Sequence, residues 1–178
     1  MPRKSKTGIL RNLLTDSYID SVMIGLSDEL NEDMDVFEEV MRPILKDFVS
    51  FHTMDGDTFI RYDMPEILRF SFKLSEVFEM NQRVALRVLL SPAYNDAELT
   101  DDDLVFIEYL IKSKNFEAKA EDIRRDAGEG KLMVSSVDDE IKALTGKGVI
   151  NLSDDTVFLI IGTKASQPSE LIADKDSD

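Results

Sequence analysis

Residues 99–161 constrain the fold more than any other stretch, because three helix boundaries and a hairpin are written there in order. Thr100 precedes Asp101, Asp102 and Asp103, a hydroxyl N-cap followed by acids. That arrangement satisfies free backbone N–H groups and complements the helix dipole. Apolar residues recur at Leu104, Ile107 and Leu110, with Val105, Phe106 and Ile111 widening the stripe, which predicts an amphipathic helix. A second short helix is expected over 120–127, with Ile123 inward and a stop at Gly128. A third starts near Ser135 or Ser136, buries Val137, Ile141 and Leu144, and ends at Gly146. Two β-rich runs, 148–152 and 156–161, flank Ser153-Asp154-Asp155 and read as a hairpin.

The run Ile141…Leu144…Gly148-Val149-Ile150 followed by that hairpin resembles the recognition helix and wing of winged-helix regulators such as the MarR-like and ArsR-like repressors. The resemblance concerns the fold of 99–162 and implies a helix-turn-helix with a β-wing.

Upstream, the charge is segregated. Residues 1–11 read as a flexible basic arm carrying Arg3, Lys4, Lys6 and Arg11. From Asn12 to Met41 there are nine acids and no Lys or Arg. Leu13, Leu14, Tyr18, Val22 and Leu26 predict one amphipathic helix, with a turn near Asn31. Met34, Phe37, Val40, Met41, Ile44, Leu45 and Phe48 predict another, kinked or broken at Pro43. Asp55-Gly56 between β-rich runs in 49–62 is a hairpin signal, since Gly supplies the positive φ a tight turn needs. Residues 63–98 read as connecting or dimerisation helices, mostly apolar in their second half, and 163–178 as a flexible acidic tail.

Helices followed by a hairpin thus occur twice, at 12–62 and 99–161. The repeat resembles the tandem winged-helix subunits of condensin-type complexes, the KITE proteins; residues 36–62 carry that likeness in the first half. The expected fold is mainly α with β-hairpins: a winged helix-turn-helix, with 12–62 as a candidate first copy.

Enzymatic signatures are sparse. The chain has no cysteine and one histidine, His52, so thiolate and multi-histidine metal sites are disfavoured. Gly128-Glu129-Gly130-Lys131 lacks phosphate-loop spacing. Glu32-Asp33-Met34-Asp35 and Asp101-Asp102-Asp103 lack a calcium-loop pattern and read as helix starts and solvated faces. No catalytic residue, metal or cofactor is expected. No apolar run reaches the roughly 20 residues of a membrane span, so the chain reads as soluble and cytoplasmic with no membrane partner.

Nucleic-acid contact rests on the arm (Arg3, Lys4, Lys6, Arg11), on Arg124 and Arg125, and on Ser135, Ser136 and Lys142 at the third helix. Against it stand a formal net charge of −15 and Asp138, Asp139 and Glu140, which repel phosphate where a recognition helix meets DNA. Leu13, Tyr18, Val22, Phe70, Val77 and Phe78 are the expected protein interface, with a partner protein or second copy. Three readings stand. The leading one is a non-enzymatic winged-helix adaptor or regulator in nucleic-acid metabolism, acting mainly through protein contacts. The others are a sequence-specific transcriptional regulator and an acidic DNA mimic that inhibits a basic protein.

Overall fold

The computed structural model describes residues 6–165 of the chain. Among them are seven α-helices: α1 (Lys6–Leu30), α2 (Glu38–Lys46), α3 (Met64–Phe78), α4 (Gln82–Leu90), α5 (Asp101–Ile111), α6 (Ala120–Gly128) and α7 (Val137–Gly146). Six short strands complete the fold: β1 (Val49–Met54), β2 (Asp57–Tyr62), β3 (Glu117–Lys119), β4 (Ile150–Ser153), β5 (Thr156–Leu159) and β6 (Gly162–Lys164). The architecture is mainly helical with two small antiparallel sheets, ordered β1-β2-β6 and β3-β5-β4.

Local chemistry sets most boundaries. Thr100 and Asp103 form a reciprocal capping box, Thr100 Oγ1 accepting from the Asp103 amide at 3.1 Å and Asp103 Oδ2 accepting from the Thr100 amide at 2.9 Å. Ser136 caps α7 by accepting from the Asp139 amide, and Asp63 caps α3 by accepting from the Glu66 amide. The β1–β2 hairpin turns at Asp55 and Gly56, both at positive φ (52° and 81°), the geometry that matches strand twist in a two-residue loop.

Several expectations need correction. Residues 6–11 are not a free arm but the first turns of α1, while Arg3 and Lys4 lie outside the described residues. The 34–48 segment changes at Glu38, where a 3-10 turn over Asp35–Phe37 gives way to α2, and Pro43 lies inside that helix. Within 63–98 the helices lie where expected, and the boundary between them is set by Glu79 in the left-handed region and the Asn81 cap. The polar end is not wholly a tail: Gly162–Lys164 is β6, and Ala165 is buried.

The two sheets share a plan. In each, an outer strand runs antiparallel to the second strand of a hairpin: β3 beside β5, and β6 beside β2. The outer strand of the second sheet precedes its hairpin, whereas that of the first comes from the far end of the chain. Ile160 and Ile161 make the crossing. The Ile160 amide donates to Val149 O (2.8 Å), its carbonyl accepts from Tyr94 Oη (2.7 Å), and Ile161 O accepts from the Tyr62 amide (2.9 Å). Both halves therefore share one core, in which Val22, Leu26, Leu45, Ile67, Leu86, Leu89, Leu104 and Ile107 are inaccessible. No helix among the described residues is long and apolar enough to cross a membrane.

Candidate nucleic-acid and partner-binding faces

The face in question is built by α5, β3, α6, α7 and the β4–β5 hairpin. Helix α7 buries Ile141 and Leu144 against the core and turns Asp138, Asp139, Lys142 and Ala143 to solvent. Ile123 does the same for α6, leaving Arg124 exposed. The helices are thereby fixed in orientation, and their outward side chains define what the face can bind.

That face pairs several of its cations with its own acids. Arg124 donates from Nε (3.1 Å) and Nη2 (2.9 Å) to Asp138 Oδ1, so the guanidinium nearest the first turn of α7 is held by an acid of that turn. Arg125 pairs with Asp122 at 3.1 Å, Lys131 with Glu129 at 2.9 Å, and Lys112 with Glu108 at 3.1 Å. Lys142 is exposed, with Asp138 and Asp139 just upstream. The Ser135 amide donates to Asp102 Oδ2 (3.2 Å) while its side chain is exposed, and the Ser136 hydroxyl accepts from the Asp139 amide of its own helix. The hairpin tip, Ser153, Asp154 and Asp155, is exposed and has no basic side chain.

Of the basic N-terminal residues, the structure describes the side chain of Arg11 alone. It lies over the Phe51 ring, 5.7 Å from the centroid, and donates to Thr53 Oγ1 at 3.4 Å. Arg11 fastens α1 to the first hairpin, so it belongs to a helix and not to a flexible arm.

The expected protein interface divides. Tyr18 and Val22 are in the chain's own core, with Tyr18 Oη donating to Leu89 O at 2.8 Å; their assignment to an interface is corrected. Burial raises the Tyr18 phenol, so it stays neutral. Phe70 packs edge-on against Phe48 (5.5 Å between centroids) and Phe78 against Phe37 (5.2 Å), both half-buried. Leu13 and Val77 are exposed, at 52% and 72%.

One polar cluster beneath this face escaped the sequence reading. Asp103, 1% exposed, accepts from Lys147 Nζ at 2.5 Å, and Lys147 also donates to Glu98 O at 2.7 Å. The acids of 101–103 are therefore not one solvated face. Asp103 Oδ1 and Glu140 Oε2 are both buried and receive no donor from the rest of the protein. Burial, then the hydrogen bond to Asp103, then the charges of Asp103 and Asp102 push the Glu140 carboxyl up to about 8. Burial also works against ionised Asp103, but hydrogen bonds from Glu140, Lys147 and the Thr100 amide outweigh it and hold that carboxyl below its ordinary value. These opposite shifts favour the neutral carboxyl on Glu140 and the ionised one on Asp103. The pair joins the start of α5 to the middle of α7.

Comparison of the chain with protein-family models, curated proteins and solved structures found no match.

Proposed function

We propose that this protein is a tandem winged-helix adaptor in nucleic-acid metabolism that works through protein contacts and does not read DNA itself. The fold reading is supported by the element order α5-β3-α6-α7-β4-β5 and by the outer strand added to each hairpin. The carrying observation for function is Arg124 bound to Asp138. The residues at the start of a recognition helix meet DNA first, and here those positions are acidic and already hold the neighbouring cation. Duplex binding draws its non-specific strength from Lys and Arg that displace counterions, and Arg124, Arg125 and Lys131 are committed to acids.

The test is titration of the full chain with a random duplex of about 30 base pairs from low to physiological salt. No binding at any salt is expected. Micromolar binding with a steep salt slope overturns the proposal in favour of a direct regulator, and loss of that binding in R124E/R125E would place the contact on α6.

A further inference from the structure

A groove of about 410 Å³ runs between α1 and α4 on a surface separate from α7. Its floor is apolar: Ile24 (62% exposed), Gly25, Val88 and Pro92. The helices come together tightly here, because a Cβ on Gly25 would lie 2.9 Å from Val88 Cγ1. The groove continues past Ser21, Pro92 and Asp96 into a second cavity of about 240 Å³ that reaches Ser17 and Asn95. From Ser17 to Glu29 the trough follows α1 for roughly 18 Å at helical rise.

The rim is charged with one sign. Asp28, Glu29 and Asp96 border the apolar floor, and none has an ion-pair partner among the described residues. The cation at this end, Arg87, is spent elsewhere: Nη2 on Asp101 at 2.9 Å and Nε on Leu99 O at 2.8 Å. α1 offers no cation from Asn12 to its end. Three unpaired carboxylates around exposed Ile24 repel anionic ligands and leave apolar surface uncovered. A segment that brings both an apolar side chain and cations answers both features at once.

We propose that this groove docks a short segment of a partner protein in which one or two aliphatic residues are flanked by Lys or Arg. The aliphatic side chain covers Ile24, Val88 and Pro92, and the cations pair with Asp28, Glu29 and Asp96. This deepens the protein-contact reading, on which it rests, by giving the partner's chemistry. Nucleic acid is disfavoured here by charge.

The probe is a fluorescein-labelled peptide, Lys-Arg-Leu-Leu-Lys-Lys, about the length an extended chain needs to cover 18 Å. Anisotropy titration of the full chain at low salt is paired with amide chemical-shift mapping. Expected are saturable binding, shifts confined to 17–29 and 87–96, and at least about tenfold weaker binding in D28K/E29K. Weakening of similar size is expected when both peptide leucines become serine. Variants are checked for an unchanged thermal midpoint, and M133S, at an exposed position outside the groove, binds as wild type. Four results overturn the proposal: no saturable binding, shifts outside the groove, undiminished binding to D28K/E29K, or equal binding of the serine peptide. The last two would leave only diffuse charge attraction. Because no DNA is present, duplex binding in the earlier titration sinks the adaptor reading without deciding this one.

Discussion

Lys147, just beyond the last turn of α7, reaches Asp103 in the first turn of α5, with Nζ 2.5 Å from a carboxylate that is 1% exposed. The Lys147 side chain is itself 28% exposed, so the pair is buried on its acidic side and partly open on its basic side. Removing Lys147 leaves a buried carboxylate with amide and Glu140 donors but no counter-charge. K147M is expected to lose about 3 kcal/mol in urea unfolding. D103N/K147M, which removes the orphaned charge as well, is expected to recover part of that loss. Equal losses in both variants would show that the charge pair is not the source.

The proton on Glu140 makes stability depend on pH. Its carboxyl rises from near 4.5 in the unfolded chain to about 8 in the folded one. Between those values the native state binds more protons than the unfolded state, so this group's contribution is present at about pH 4.5 and is lost as pH rises through 8. Asp103 acts oppositely, since its lowered value contributes above the ordinary Asp range and is lost on acidification through the folded value. E140Q keeps a donor toward Asp103 and cannot ionise. Its stability relative to wild type should therefore increase steadily from mildly acidic to mildly alkaline pH. Parallel wild-type and E140Q curves across that range would rule out the neutral carboxyl on Glu140, and a Glu140 carboxyl carbon titrating near 4.5 by NMR would do so directly.

The sequence shows the caps of this cluster but not its depth. Thr100, Ser136 and Asp55-Gly56 act over two or three residues, so their geometry is readable from neighbours alone. Asp103 looked like its neighbours because the residue that buries and pairs it, Lys147, is 44 positions away. Periodicity correctly marked Tyr18 and Val22 as facing something apolar. It carries no information on whether that surface belongs to the same chain, and here it does: Tyr18 meets Leu89, 71 positions away. Strands β3 and β6 escaped for a related reason. Three residues such as Gly162-Thr163-Lys164 have no alternation of their own, and they become a strand through the hairpin beside which they lie.

At Gly25 the groove depends on the absence of a side chain. In G25A the added Cβ would press on Val88 Cγ1 at 2.9 Å, and the flexible end of a valine relieves only part of that contact. A loss of about 1–2 kcal/mol is expected, with most of it restored in G25A/V88A, where the opposing methyls are gone. Additive losses in the double variant would mean that α1 and α4 do not touch there.

Gly162 tests whether the end of the chain completes the first sheet. A Cβ at this position would lie 2.4 Å from the carbonyl oxygen of Ile60, and backbone cannot swing aside as a side chain can. G162A must therefore push β6 away from β2. The first bonds to fail are those of the Tyr62 amide to Ile161 O and the Ala165 amide to Thr58 O. A loss of about 2 kcal/mol is expected, with faster hydrogen exchange at the Tyr62 and Ala165 amides. Pairing of β1 with β2 and of β3 with β5 makes no use of Gly162, so amides in those ladders keep their protection relative to the global stability of the variant. Unchanged exchange at Tyr62 and Ala165 would mean that β6 does not pair with β2 in solution. The first hairpin would then have no outer strand, and the two sheets would not share a plan.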